Sequence, residues 1–168
     1  MTVIAASVDE RLRLAKDAAR EIGLLHSARK TALLHAVADA LETSSSEIVA
    51  ANAEDLDRGR HDAIGEALLD RLRLDDTRVA ALAAAVRDVA ELPDPVGRVL
   101  DRRTLPNGLQ LEKVAVPFGV VGSIYEARPN VTVDIASLAL RSGNAVVLRG
   151  GSAAQSSNAT LVRVMRDA

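Results

Sequence analysis

Two short runs hold the residues whose types and spacing can do chemistry. Glu126-Ala127-Arg128-Pro129-Asn130 offers a base, a fixed cation and a hydrogen-bond donor in one turn. Arg149-Gly150-Gly151-Ser152 offers a planar guanidinium, two residues without side chains and a hydroxyl. A guanidinium fork suits phosphate, and paired glycines let backbone or ligand approach closely. Each run follows an apolar stretch and precedes a helical pattern. Gly119–Tyr125 and Asn144–Leu148 read as parallel strands buried on both faces. Val131–Arg141 and the residues from about Ala153 read as helices, with Gly143 closing the first. The whole is a βαβ unit. Open α/β sheets bind ligands beyond the carboxyl ends of their strands, where helix N-termini favour anions. Tyr125 and Glu126 stand at the first such end and Arg149–Ser152 at the second. The strict G-x-G-x-x-G fingerprint is absent, since Gly119-x-x-Gly122 does not match it. The same residues also fit plainer roles: Asn130 or Thr132 as a helix cap, Glu126 with Arg128 as a surface pair, and Arg149–Ser152 as a glycine turn.

The elements that must position these runs come earlier. Val8, Leu12, Ala15, Ala19 and Ile22 step by four and three, one face of a helix. Ser7 is its expected N-cap, with Glu10 completing a capping box, and Gly23 ends it. A second helix spans about Ser27–Glu42, with Leu34, Val37 and Leu41 inside. After the Thr43–Ser46 break a third runs to about Arg58, where Gly59 stops it. Shorter and longer helices follow over about Ala63–Arg71 and Asp76–Glu91, the latter capped by Asp75. Leu92-Pro93-Asp94-Pro95 is a hard boundary, because proline cannot continue a helix. Val96–Leu105 and Leu109–Val116 then flank Pro106-Asn107-Gly108, a strong hairpin signal. The odd positions Leu109, Leu111, Lys113 and Ala115 are mostly apolar, Lys113 being the exception, and predict one buried and one wet face. Such an arm suits pairing with another domain or subunit, although an ordinary surface hairpin explains it too. The organisation is therefore residues 1–95 helical, 96–116 a hairpin arm, and 117–168 the opening βαβ of a nucleotide-binding domain.

Composition narrows the function. Net charge is −2 with both signs interspersed, so nucleic-acid binding has no electrostatic footprint. No apolar run reaches a membrane span. Met1–Ala6 is too short and uncharged for a secretory signal, and the cytoplasm is the expected compartment. The absence of cysteine excludes disulfides, a cysteine zinc site and a cysteine nucleophile within these residues. His26, His35 and His61 lack metal-ligand spacing, so no metal is expected. Phe118 and Tyr125 are the sole aromatics, which leaves the core to Ala, Leu, Val and Ile.

The residues also carry a resemblance. The run PFGVVGSIYEARPNVTVD (117–134), followed by RSGNAVVLRGG (141–151), resembles the γ-glutamyl phosphate reductases, a branch of the aldehyde dehydrogenase superfamily. AANAED (50–55), LDRLRL (69–74) and LPDPVG (92–97) extend the likeness over nearly the whole chain. The YEARPNVT stretch is specific to this branch.

The resemblance implies an aldehyde-dehydrogenase-like α/β fold: N-terminal helices, a hairpin arm for interdomain or oligomer contacts, and the start of a Rossmann-like parallel βαβ cofactor domain. It implies reduction of L-glutamyl 5-phosphate to L-glutamate 5-semialdehyde by NADPH, in proline biosynthesis. A cysteine thioester would carry the acyl group, and that cysteine lies in a part of the longer protein absent here. The 168 residues alone are therefore expected to be inactive. Glutamate 5-kinase and further copies of the chain are the implied partners. Many superfamily members place a lysine and, three residues on, a glutamate at the adenosine ribose. Here Arg149 and Ser152 stand there, a pair that accepts a 2′-phosphate where a carboxylate would repel it. The cofactor set is thus Tyr125, Glu126, Arg149, Gly150, Gly151 and Ser152. The superfamily's oxyanion asparagine aligns with Arg128 without a gap and with Asn130 after a two-residue slip. Either can stabilise an oxyanion or a leaving phosphate. Two rival readings are another acyl-phosphate or aldehyde dehydrogenase of the superfamily, and a non-catalytic module that assembles through its hairpin.

Overall fold

A computed structural model describes residues 7–168. Met1–Ala6, read above as no secretory signal, lies outside the described residues. Five helices come first: α1 (Val8–Gly23), α2 (Ser27–Thr43), α3 (Ser45–His61), α4 (Glu66–Leu72) and α5 (Asp76–Glu91). The hairpin β1 (Val99–Thr104) and β2 (Gln110–Val114) follows. Then come β3 (Val120–Tyr125), α6 (Asn130–Arg141), β4 (Ala145–Gly150) and, after a single 3-10 turn over Ser152–Ala154, α7 (Gln155–Asp167).

The core is aliphatic, as the composition requires. Leu34, Ala38 and Leu41 of α2 pack along Val79, Ala83 and Val86 of α5, and Ile48, Val133 and Leu161 are among the residues that extend the cluster. Each of these helices presents one apolar stripe inward, which is the main source of its stability. Ser7 accepts a hydrogen bond from the Glu10 N–H at 3.2 Å. Asp75 accepts from the Arg78 N–H at 2.8 Å. Both caps stand where the sequence put them. Ser44 occupies the break between α2 and α3 but makes no side-chain cap.

Gly59 does not stop α3, which continues to His61. The glycine is buried inside the helix, and a Cβ there would lie 2.9 Å from Cδ2 of Leu69. Its smallness serves the packing of α4 on α3. The stop comes at Ala63, which adopts φ +53°. The Ile64 N–H reaches the Gly59 carbonyl at 2.9 Å and the Ala63 N–H reaches Arg60 at 3.1 Å, the Schellman pattern. This left-handed residue also explains why α4 starts at Glu66 and not near Ala63. Alanine strains that conformation, so Ala63→Gly is expected to raise stability by about 1 kcal/mol, read by urea denaturation.

The hairpin pairs in antiparallel register, Thr104 with Gln110 and Arg103 with Leu111. Its turn is the three-residue form: the Gly108 N–H bonds the Leu105 carbonyl at 2.9 Å, and Gly108 takes φ +85°. The expected buried face is not there. Every residue of β1 and β2 is exposed, Leu111 and Val99 included, because the arm stands off the helices and no described element covers either side.

β3 and β4 pair in parallel, from Val120 with Ala145 to Tyr125 with Gly150. β3 was expected to be buried on both faces, and it is not. Its residues alternate, and Ile124 is 82% exposed. Helices α1 and α6 lie mainly over β4, which leaves β3 as a strand with one wet face. Where the strands begin, the Gly119 N–H bonds Oδ1 of Asn144 at 2.9 Å and the Ala145 N–H bonds the Gly119 carbonyl.

A polar joint ties this unit to the helices. Lys30, fully buried on α2, donates to both carboxylate oxygens of Asp94 at 3.1 and 2.9 Å. The Val96 N–H donates to Oδ1 of Asp94 at 3.0 Å. Arg141, at the end of α6, donates to the Leu92 carbonyl and to Thr31. The proline linker that breaks α5 is thus bolted to α2 and α6.

Candidate functional site

The candidate residues meet at one end of the parallel pair. Tyr125 and Gly150 are register partners, as are Ile124 and Arg149. Gly151 passes so close to the end of β3 that a Cβ on it would sit 3.3 Å from Cα of Glu126. Arg128 and Asn130 follow on the turn into α6, and Ser152 opens the 3-10 turn into α7. Glu126, Arg128, Arg149 and Ser152 are exposed. Among the described residues neither arginine is tied into an ion pair, and Glu126 forms none with Arg128. The surface-pair reading of those two therefore fails. The capping reading fails too, because Pro129 occupies the N-cap of α6 without a side-chain bond.

Asn130 and Thr132 are used otherwise. The Asn130 amide donates to Oδ2 of Asp134 at 3.1 Å. Burial raises the Asp134 carboxyl above the ordinary aspartate value, and the Asn130 bond opposes that only in part. Thr132 is fully buried and donates to Oδ1 of Asn158 at 2.7 Å. A threonine hydroxyl has one proton to give, so in the short contact between Tyr125 and Thr132 the phenol is the donor. A Cβ on Gly150 would meet Nδ2 of Asn158 at 2.2 Å and Cε2 of Tyr125 at 3.2 Å. Gly150 is thus a packing requirement, and both glycines bring protein to protein before any ligand is considered.

The N-terminus of α7 differs most from expectation. Its first-turn amides do not await an anion. Asp55, fully buried on α3, accepts from the Ser156 N–H at 3.0 Å and the Ser157 N–H at 2.8 Å. It also accepts from Oγ of Ser157 at 2.6 Å and from Arg58. One turn earlier Asn52 donates to Oγ of Ser157 and to the Leu72 carbonyl, while its own oxygen accepts from the Leu74 N–H at 2.7 Å. Sequence reasoning missed both. The available signal was their place on the inward stripe Ile48, Asn52, Asp55, Gly59, where two polar residues must be satisfied inside.

Two apolar grooves lie at the other end of the strands. One of about 350 Å³ is lined by Pro95, Val96, Val116, Phe118 and Leu138 among others, and one of about 470 Å³ by Leu12, Ala19, Phe118 and Val120 among others. No candidate residue lines either. The strand ends form an open shelf, where the polar and charged candidate groups converge. Among the described residues no three ligating side chains gather in a metal-binding group.

No protein-family model matches the chain. Individual proteins do. The γ-glutamyl phosphate reductase of Kineococcus radiotolerans is 61% identical over 99% of this chain and 39% of its own length. Over nearly its whole length the chain is similar to the γ-glutamyl phosphate reductases. It spans about two-fifths of the length of the curated relatives it matches. The crystal structure of the Thermotoga maritima γ-glutamyl phosphate reductase superposes with a TM-score of 0.91 at 38% identity, covering 94% of this chain and 38% of that one. An NAD-dependent benzaldehyde dehydrogenase from Corynebacterium glutamicum superposes at 0.75 and 22% identity, over 95% of this chain and 33% of its own. That likeness shows the aldehyde dehydrogenase fold.

Proposed function

We propose that this chain is the cofactor-side portion of an enzyme that reduces L-glutamyl 5-phosphate to L-glutamate 5-semialdehyde with NADPH, releasing phosphate. The observation that carries the reading is the convergence of Tyr125, Glu126, Arg128, Arg149 and Ser152 at the carboxyl ends of β3 and β4, in a chain similar to these reductases. Bound NADPH supplies hydride. The chain's own part is to hold the dinucleotide across the strand ends. Arg149 is exposed and has no carboxylate partner among the described residues, so its charge is available to a ribose 2′-phosphate. Ser152 stands beside it as a small hydrogen-bonding neighbour that does not repel one.

Arg128 and Asn130 are candidates to stabilise charge on the acyl oxygen or the departing phosphate. Of the two, Arg128 is exposed and in no ion pair among the described residues, whereas the Asn130 amide is shared with Asp134. That division favours Arg128 for the anion and leaves Asn130 to orient the turn. The acyl-carrying cysteine belongs to a part of the longer protein outside these residues, which contain none. Further copies of the longer chain and glutamate 5-kinase, the source of an acyl phosphate, are its proposed partners, and the cytoplasm its proposed location. Among the described residues no helix is long and apolar enough to cross a membrane.

In the full-length protein, Arg149→Ala is expected to weaken NADPH by about tenfold or more, as loss of a charged hydrogen bond implies. NADH should change by less than about twofold. Equal losses for the two, in a calorimetric or fluorescence titration, would remove the 2′-phosphate assignment.

A further inference from the structure

We infer that Asp55 is a positioning residue for the cofactor shelf, the built-in anion that fills the N-terminus of α7. This rests on the proposed nicotinamide site. In many dinucleotide folds the helix after a glycine turn offers its N–H groups to phosphate. Here those groups are spent on a carboxylate from another helix. Ser156 and Ser157 N–H both end on Asp55, as does Oγ of Ser157, and Arg58 completes its set of four donors. Arg58 also reaches Oγ of Ser156 at 3.3 Å, and Asn52 holds the Ser157 hydroxyl from the far side at 3.0 Å.

Two consequences follow. First, Ser152, Gly151 and Arg149 lead directly into this clamp, and the 3-10 turn between them and α7 packs on α3, with Ala154 fully buried. Asp55 therefore sets where the shelf stands relative to the end of β3. Secondly, a carboxylate already neutralises the helix terminus. Phosphate recognition passes to the exposed Arg149 and to the turn itself, not to the dipole of α7. Asp55 touches no candidate ligand position, so its effect is on binding geometry.

The test uses the full-length protein. In Asp55→Asn an amide N–H₂ replaces one accepting oxygen and faces N–H and O–H donors, so the clamp loosens without a large change of volume. The dissociation constant for NADPH, from titration well below the melting temperature, should rise about tenfold or more while kcat at saturation stays within about threefold. Asp94→Asn supplies the comparison, since it loosens a different buried pair at the opposite end of the strands. At a similar loss of melting temperature it should leave the NADPH constant within about twofold. A folded Asp55→Asn protein with unchanged NADPH affinity would overturn the inference, as would equal weakening by Asp94→Asn. A wild-type protein that binds no nicotinamide dinucleotide would instead overturn the proposed function and this inference with it.

Discussion

Replacing Lys30 by Met is expected to destabilise the protein by about 3–5 kcal/mol, the cost of stripping one partner from a buried ion pair. The ammonium is wholly inaccessible and the carboxylate side chain of Asp94 only 15% exposed, so water can replace the lost bonds only in part. Met fills the volume of the lysine stem, which confines the loss to the charge. The loss has a definite pH dependence. Burial pushes the Asp94 carboxyl upward, but the Lys30 bond, the Val96 N–H and the charges of Lys30 and Arg141 together outweigh it, and the group lies below its ordinary value. A depressed carboxyl contributes stability fully above its unfolded value and loses it as pH falls through its folded value. The gap between wild type and Lys30→Met should therefore be widest near neutrality and narrow in strong acid. Urea denaturation across pH measures it. A gap that stayed constant down to the acid limit would mean that Lys30 contributes packing and not charge.

Gly143→Ala should cost about 2–4 kcal/mol by two additive routes. The residue closes α6 in the left-handed region at φ +75°, with the Asn144 N–H on the Ala139 carbonyl and the Gly143 N–H on Leu140. A side chain there costs about 1–2 kcal/mol in backbone strain. In addition the new Cβ would stand 2.9 Å from Cγ of Pro117 and 3.1 Å from Cγ2 of Val96, two residues with little room to yield. The contrast with Ala63 is instructive. That position shows the same motif with alanine already in place, so backbone strain alone is tolerable. A loss at Gly143 no larger than the gain from Ala63→Gly would show that Pro117 and Val96 give way.

The comparison of sequence with structure divides along a physical line. Periodic apolar patterning placed α1, α2, α5 and α6 to within a residue or two at each end, and Asp75 and Ser7 announced their caps. Pro93 and Pro95 marked the end of α5. Burial was less legible. An apolar strand such as Val120–Tyr125 states its need for cover but not which neighbour supplies it, and here α1 and α6 lie over β4 instead. The hairpin's alternation likewise predicted a covered face that no described element provides. At the site, local runs located Glu126–Asn130 and Arg149–Ser152, because turn chemistry is local. Asp55 escaped because its partners lie 101 and 102 positions away in the chain. Gly59 misled because glycine ends helices often, and only the proximity of Leu69 reveals that it was chosen for size.

Tyr125 carries one further consequence. The chain has one tyrosine and no tryptophan. Excited where phenylalanine does not absorb, its ultraviolet emission therefore comes from a single ring, hydrogen-bonded to Thr132 at the tip of β3 and facing Gly150 of β4. A ligand laid across the strand ends must alter the surroundings of that ring. The segment has its own optical reporter at the place where binding is proposed, and no label need be added to watch it.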